Sequence, residues 1–249
     1  MKSLVTIACA LFAAALLPGA FAQDKDAEKI FRDMEKKVKD AKAIEVTFRY
    51  QLVGKNAKGA LLMTNDGKAR IAVMGNYFFG IKGNSSFTLL SDGKNYKVTG
   101  AKFGIATIGR PFIEPGGSSE GQLGKGFREM TTATLTRGGI GLTVIGLPYL
   151  VSIDAGIDPD EQESKMTVYD FKMGAADKIG DRKAKVLHYR HGKGGNDDPD
   201  MTLWLDDETG LPLKRVFQQP RGEKIRIEDT YNSLKLNPEF KASIFELPK

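Results

Sequence analysis

Two histidines stand at a spacing that could serve metal chemistry. His188 and His191 form a His-x-x-His pair, and on a helix this pair would present two imidazoles to one zinc ion. Over residues 186–191, however, Val186, His188 and Arg190 alternate with the other three residues in the manner of a strand, so the two rings should point to opposite faces. We therefore predict no metal site here, and we interpret both histidines as surface residues at a sheet edge, near the glycine-rich loop 192–195.

The remaining reactive side chains lack the spacing of a catalytic site. Carboxylates cluster at 197–200 and 206–208 without the alternating ligands and central glycine of a calcium loop, so we interpret both clusters as turns. Ser118 and Ser119 follow two glycines, but no strand-to-helix elbow surrounds them and both histidines lie far away on one strand. Phosphate-loop chemistry is not indicated either, since Phe127 follows Gly126 where such a loop has lysine. The sequence predicts a protein that is not an enzyme and uses no cofactor.

The beginning of the chain has the pattern of an export signal. Lys2 supplies a positive charge, residues 4–17 form an apolar run, and Ala20-Phe21-Ala22 forms a small-residue cleavage site. The run is about 14 residues, below the roughly 20 of a spanning helix, and charged residues follow at once, which disfavours an uncleaved anchor. We predict a signal peptide over residues 1–22, a mature chain from Gln23 and a periplasmic location. Residues 23–249 should form one domain without cysteine, since Cys9 lies inside the signal.

The charge pattern argues against nucleic acid as a partner. The chain carries 37 basic and 31 acidic residues, a formal net charge of +6, and the two signs are interspersed. Nucleic-acid binding favours a one-sided basic stripe with stacking aromatic residues, which this sequence lacks. A mildly basic surface is consistent with solubility or with an anionic membrane or ligand nearby, and we expect a soluble monomer.

Hydrophobic periodicity predicts one helix followed by antiparallel strands. Residues 24–42 place apolar side chains at helical spacing, and residues 45–52 then alternate as a strand does. Asp66-Gly67 and Asp92-Gly93 stand between paired apolar runs and predict tight hairpins. Residues 100–126 are rich in glycine and predict a long loop, and the apolar stretch 138–151 should be buried against the sheet. A second series of strands follows over 166–231, which makes about ten strands in all.

This order of elements, together with three local motifs, resembles the LolA/LolB-like family of periplasmic lipoprotein carriers. The motifs lie in order along most of the mature chain. They are Leu89-Leu90-Ser91-Asp92-Gly93-Lys94-Asn95-Tyr96, Met201-Thr202-Leu203-Trp204-Leu205-Asp206-Asp207-Glu208-Thr209-Gly210-Leu211-Pro212 and Phe245-Glu246-Leu247-Pro248.

The resemblance implies an α+β fold: a strongly curved, incomplete antiparallel β-barrel whose concave apolar face is closed by helices and holds acyl chains. A lipid or an acylated lipoprotein would then be the ligand, with a membrane protein as a further possible partner. Candidates for the cavity wall, each of which could equally be ordinary core, are Val46, Phe48, Tyr50, Leu62, Ile71, Val73, Phe87, Leu89 and Trp204. The stretch 138–151 would be a movable lid, with Ile140, Leu142, Val144, Ile145, Leu147 and Leu150 as its apolar side chains.

The chain also departs from the family. The carriers have an arginine and a proline where their second strand leaves the sheet, and the corresponding stretch here is Thr64-Asn65-Asp66-Gly67, so no lid-holding arginine can be transferred.

Two other classes of function remain open. One is an envelope-stress sensor or interaction module that contacts a membrane protein, and the other is an outer-membrane-associated hydrolase.

Overall fold

The computed structural model describes residues 24–52, 55–76, 85–103, 113–123, 126–144, 167–220 and 225–248. Within these ranges, twelve strands form one antiparallel sheet. The helices are α1 (Lys25–Asp40) and α2 (Phe127–Ala133), and the strands are β1 (Ala43–Leu52), β2 (Lys55–Thr64), β3 (Lys68–Gly75), β4 (Ser85–Asp92), β5 (Asn95–Phe103), β6 (Ile113–Gln122), β7 (Val168–Met173), β8 (Asp177–Ile179), β9 (Arg182–His191), β10 (Asp200–Asp206), β11 (Pro212–Gln218) and β12 (Arg226–Leu236).

The sheet consists of two meanders joined at their first and last strands. Its order is β6-β5-β4-β3-β2-β1-β12-β11-β10-β9-β7, and β8 pairs with β9 beside this path. The strands β6 and β7 stand at the two ends and do not pair with each other within the described ranges. The predicted fold class, α+β with an antiparallel sheet that does not close, is confirmed.

The predicted loop over residues 100–126 is wrong in part. Residues 113–122 form β6 and pair with β5 along most of its length, despite their glycines. A strand ladder is built from backbone groups, so an edge strand can form where side chains give no alternating signal. Together with the three-residue β8, this strand raises the count from the predicted ten to twelve.

Helix α1 forms where the sequence predicts it and covers the sheet near β7. Asp24 caps its start, since the Asp24 carboxylate accepts hydrogen bonds from the backbone N–H groups of Asp26 and Ala27 at 3.0 and 3.1 Å. Its buried stripe includes Phe31, whose ring centroid lies 5.2 Å from that of Phe171 and 4.9 Å from that of Tyr189. This aromatic group fixes α1 on the C-terminal meander.

Glycine closes the predicted hairpins. Gly67, between β2 and β3, has a φ of +83°, and Gly93, between β4 and β5, has a φ of +95°. Side chains with a Cβ rarely adopt such angles, which is why the Asp-Gly pairs marked these turns. The pairing of β1 with β2, of β2 with β3 and of β3 with β4 places alternate residues of these strands in register on one face of the sheet.

The central segment lies on that same face. Helix α2 continues into a π-helical turn, Thr134–Gly138, and after Gly139 the chain is helical again over residues 140–144. We call residues 134–144 the cover segment, and the face of the sheet beneath it the inner face. Of the predicted lid residues, Ile145, Leu147 and Leu150 lie outside the described residues. In the part of the chain that the structure describes, every helix is too short or too polar to cross a membrane.

Candidate functional site

A continuous apolar wall runs across strands β1–β4 on the inner face. One cross-strand row joins Val46, Leu61, Ile71 and Leu89, and the next joins Phe48, Gly59, Val73 and Phe87. The side chains of the wall are at most 2% exposed. Seven of the nine predicted wall residues lie on this face: Val46, Phe48, Tyr50, Ile71, Val73, Phe87 and Leu89.

The other two predicted wall residues lie on the opposite, outer face. Leu62 pairs with Glu45 and Arg70, whereas its neighbours Leu61 and Met63 are fully buried on the inner face. The prediction for Leu62 is therefore wrong by one residue of strand alternation.

Trp204 is the second correction. Its neighbours in sequence, Leu203 and Leu205, belong to the inner core, and Trp204 projects from the other side of β10. Its indole N–H donates to the Asp177 carboxylate at 2.9 Å, and the Lys214 ammonium lies 5.3 Å from its ring centroid. Trp204 thus stabilises the outer surface of the C-terminal meander and does not line the inner face.

The cover segment closes the inner face with both apolar and polar contacts. Ile140 and Val144 are fully buried, as the lid prediction requires, and Leu142 is partly buried against the core. Gly141 lies against the sheet so closely that a Cβ there would come within 2.8 Å of Ile227 Cγ2 and 3.5 Å of Tyr50 Cβ. The close contact is with β12, since the 3.5 Å to Tyr50 is an ordinary van der Waals distance, and only glycine allows the backbone of the cover segment to approach β12 this closely.

A buried arginine fixes one end of the cover segment. Arg215 projects from β11 onto the inner face and is fully buried. Its Nη1 donates to the carbonyl oxygen of Leu135 at 2.8 Å, and its Nη2 donates to that of Thr136 at 2.7 Å. These carbonyls lie at the end of a helical turn, where the helix dipole favours a positive charge.

A buried carboxylate fixes the other end. Asp229 projects from β12, directly opposite Arg215 in the strand register, and its Oδ1 accepts a hydrogen bond from the backbone N–H of Gly141 at 3.0 Å. The Tyr231 hydroxyl accepts from the N–H of Ile140 at 3.3 Å. A carboxylate at the start of the helical residues 140–144 complements the positive end of their dipole.

Gly139 separates the two charged groups. A Cβ at this position would come within 2.1 Å of Asp229 Oδ2 and 3.4 Å of Arg215 Nη1, and its φ is +101°. The backbone therefore passes between carboxylate and guanidinium, and both groups hold it through hydrogen bonds on either side. We call Arg215, Asp229, Tyr231 and the backbone groups that they bind the polar clasp.

Burial shifts the ionisation of the polar clasp. Burial raises the pKa of Asp229 to about 7, and the charge of Arg215 and the N–H of Gly141 act in the opposite direction. Burial likewise raises the pKa of Tyr189, to about 12, and that of Tyr231. Asp229 is thus the member of the clasp whose charge changes near neutral pH.

A second link ties the cover segment to α1. Arg137 Nε forms an ion pair with Glu35 Oε1 at 2.6 Å, and both side chains are largely buried. The Tyr189 hydroxyl donates to the carbonyl oxygen of Arg137 at 2.8 Å. Because Tyr189 also packs on Phe31, helix α1, strand β9 and the cover segment meet at this point.

The two histidines do lie on opposite faces of β9, as predicted. His188 is exposed, and its Nδ1 lies 3.1 Å from the hydroxyl oxygen of Thr202. The interpretation of His191 as a surface residue is wrong: its ring is on the inner face, and burial, together with the positive charges of Arg215 and Arg137, lowers its pKa to about 4. Among the described residues no cluster of His, Cys, Asp and Glu could hold a metal ion.

Three buried polar atoms have no hydrogen-bond partner within the described ranges. They are Thr131 Oγ1, His191 Nε2 and Arg215 Nε. Leaving such groups unpaired is costly, so native proteins keep few of them. Arg215 Nε and His191 Nε2 belong to the inner face of the C-terminal meander, on β11 and β9, which therefore offers hydrogen-bonding positions there.

Comparison with protein-family models and with curated proteins gives no match. Among solved structures, the chain is similar to MucB at 16% identity and a TM-score of 0.46, over 90% of this chain and 64% of that one. It therefore spans just under two thirds of the MucB chain. LprF from Mycobacterium bovis matches at 12% identity and a TM-score of 0.47, over 85% and 94% of the two chains.

A LolA superfamily protein, NE2245 from Nitrosomonas europaea, matches at 10% identity and a TM-score of 0.27, over 89% of this chain and 97% of that one. The family that the sequence motifs resemble is thus represented among the similar structures. At these identities and TM-scores, no residue role is transferred from them to this chain.

Proposed function

We propose that the chain is an exported, periplasmic binding or carrier protein for lipids or for the acyl chains of lipoproteins. The inner face of β1–β4 is the acyl-binding wall, and the cover segment is the lid that leaves it when a ligand enters. Arg215 and Asp229 hold the lid closed.

One observation supports this proposal most directly: the cover segment, which lies on the inner face against Tyr50 of β1 and against β11 and β12, is attached through hydrogen bonds to two buried ionisable groups. A core segment that never moves has little need of buried ionisable residues, because burying them costs free energy that apolar residues would not cost. A lid needs attachments that can be broken and formed again, and hydrogen bonds to backbone groups provide them.

Replacement of the cover segment by an acyl chain on the inner face is energetically reasonable. When the cover segment leaves, the apolar surface under Ile140 and Val144 is exposed, at a cost of roughly 25 cal/mol per Å². An acyl chain that takes their place restores that burial at about 0.8 kcal/mol for each methylene group. The unpaired Nε of Arg215 is a donor suited to the ester carbonyl of a lipid.

Mass spectrometry of lipids that co-purify with the protein from its native envelope tests the function. We expect stoichiometric acyl lipid or acylated protein. A preparation that carries neither, and that gains a membrane protein as its stable partner instead, would favour the interaction module over the carrier.

A pair of variants tests the position of the site. Phe87→Asp places an unpartnered carboxylate on the inner wall and should abolish uptake of a fluorescent monoacylglycerol, and Phe48→Asp should do the same. Thr88→Asp is the matched control, because Thr88 follows Phe87 and faces outward. Uptake that persists in both wall variants, with circular dichroism unchanged, would mean that the assigned face is wrong.

A further inference from the structure

A second concave surface lies on the outer face, behind the wall. It is a groove of about 510 Å³ across β2–β4, within the roughly 300–1,000 Å³ of small-molecule sites. Its lining includes alternate, outward-facing residues of the three strands: Lys58, Ala60, Ala72, Met74, Ser86 and Thr88. The lining also includes Phe48, Gly59, Val73 and Phe87 of the wall. Because the side chains of Phe48, Val73 and Phe87 are at most 2% exposed, the outward-facing residues form most of the accessible surface of the groove.

Small side chains and a bulge create the groove. Ala60 pairs with Ala72, and Ala72 pairs with Thr88, so a row of short side chains crosses three strands. The β1–β12 register shifts between Thr47 and Phe48, which leaves Asn232 as an extra residue at the rim. The groove is thus a consequence of residue size and of the bulge.

The groove has unbalanced positive charge at one end. Lys58 lines it, and Arg49 stands directly opposite Lys58 in the strand pairing. Like charges placed opposite each other destabilise a sheet. Among the described residues no carboxylate forms an ion pair with either of them, whereas Lys214, elsewhere on the outer face, pairs with Glu228 at 2.6 Å. A bound anion would relieve this repulsion.

An exposed apolar side chain lies beside these cations. Met74 is 56% exposed, pairs with Lys58 across the strands and lines the groove. Within the described ranges, Met74 and Met173 are the large apolar side chains that the solvent reaches most. A cationic end, a floor of small residues and an apolar rim fit a molecule with an anionic head and a hydrocarbon chain.

We propose that this outer groove binds an anionic amphiphile. Its phosphate or carboxylate head contacts Lys58 and Arg49, and its hydrocarbon chain crosses Ala60 and Ala72 beside Met74. The groove and the acyl-binding wall share strands β2–β4, but the outward-facing residues Lys58, Ala60, Ala72 and Met74 belong to the groove alone.

Titration of the mature protein with decyl phosphate tests the proposal, with amide NMR shifts of β2–β4 as the readout. We expect the double variant Arg49→Gln/Lys58→Gln to weaken binding at least about tenfold, because it removes charge-assisted hydrogen bonds. The variant should keep its fold, since the substitution removes a repulsion. Lys94→Gln, at the exposed β4–β5 turn, is the matched control and should bind as the native chain does.

Two further arms identify the ligand class. Ala72→Trp fills the groove and should weaken decyl phosphate binding without affecting uptake of an uncharged monoacylglycerol by the inner face. Inorganic phosphate should bind much more weakly than decyl phosphate.

Equal binding of the two phosphates would contradict the proposal that the ligand is an amphiphile and would indicate a free anion. Decyl phosphate binding that is unchanged in the double variant would contradict the proposed position of the site. A native protein that binds decyl phosphate but takes up no monoacylglycerol would contradict the proposed function and leave the groove proposal standing.

Discussion

At the scale of single residues, two ionisable groups occupy inward positions that a simple core would fill with apolar side chains. Arg215 lies between Leu213 and Phe217 along β11, and Asp229 lies between Ile227 and Tyr231 along β12. Charged residues are almost never fully buried unless they have partners. The partners here are backbone groups of the cover segment, so the two residues connect sheet and cover in a way that no apolar pair could.

The ionisation of Asp229 predicts a pH dependence of stability. Its pKa is raised in the folded chain to about 7, so the stability that it contributes is complete below its unfolded pKa and is lost as the pH rises towards 7. Between about pH 5 and about pH 8, Asp229 alone should lower the free energy of unfolding in urea by roughly 2–3 kcal/mol, and the lowered pKa of His191 acts in the opposite direction below about pH 6.5. Asp229→Asn should remove most of this decrease.

Glu228→Gln is the control for this experiment. Glu228 lies beside Asp229 on the outer face, and its hydrogen bond from Lys214 holds its pKa below the usual range. Its stability contribution is therefore lost only as the pH falls below the pKa of ordinary carboxylates. The charge of Glu228 is the smallest of the influences on the pKa of Asp229, so Glu228→Gln should change the slope between pH 5 and pH 8 much less than Asp229→Asn does. Equal slopes for the native chain and Asp229→Asn would contradict the account of Asp229.

Gly139 lies so close to Asp229 that adding one methyl group at residue 139 should lower the free energy of unfolding strongly. Gly139→Ala puts a Cβ against Asp229 in a backbone region that L side chains rarely adopt. Gly180→Ala is the matched control, because Gly180 also has a positive φ, +62°, but nothing lies within 4 Å of its added Cβ. Gly139→Ala should lower the free energy of unfolding by at least about 2 kcal/mol more than Gly180→Ala does. Equal losses would mean that the backbone does not pass between the two charged groups.

Sequence reasoning found the wall but not the polar clasp, for a physical reason. Strand alternation assigns the face correctly where polar residues separate apolar ones, as around Phe48 and Val73. It fails at Leu62 and Trp204 because each stands between two further apolar residues, so either face satisfies the pattern. Arg215 and Asp229 were missed because a charged residue in a strand is assigned to solvent by default, although each occupies an inward position between apolar neighbours.

At the scale of elements, the cover segment combines burial with poor intrinsic helix formation. Gly138, Gly139 and Gly141 fall within four residues, and a π-helical turn interrupts its helical course. Helix α1 and the Asp-Gly hairpins were predictable because local signals determine them. The course of the cover segment depends on Arg215 and Asp229, far away in sequence, so local patterns could not reveal it.

Hydrogen exchange of the cover segment tests whether it is a lid. Its amides should exchange faster than those of β1–β4 when the protein is empty, and they should slow down when a long-chain lipid is bound. Helix α1, fixed by its aromatic contacts, serves as the internal reference. Strong protection of residues 134–144 that is equal in both states would show that the segment is a static part of the core.

At the scale of the whole molecule, β1 and β12 join two meanders into one sheet that offers two unlike faces. The inner face carries the apolar wall, and the outer face of β2–β4 carries the groove with Arg49 and Lys58 at one end. Each strand of the N-terminal meander thus serves both surfaces through its alternation. Substitutions of adjacent residues, such as Ile71 on the wall and Ala72 in the groove, should therefore affect different ligands.

The signal peptide that the sequence predicts gives a testable expectation for the mature protein. The mature chain should begin at Gln23 and remain in solution without detergent after release from the envelope. N-terminal sequencing together with intact-mass measurement checks this expectation. A chain that begins at Met1, or one that carries an acyl group on Cys9, would contradict it.

The most direct test of the acyl-binding wall is photolabelling of the native mature protein with an uncharged monoacylglycerol that carries a diazirine in its chain. An uncharged probe avoids the cationic outer groove, and no substitution disturbs the fold. Peptide mass spectrometry should locate the label on the cover segment and on inner-face residues that do not border the outer groove, such as Val46, Ile71 and Leu89. Label confined to outward-facing residues such as Met74, or no saturable labelling at all, would contradict the proposed function.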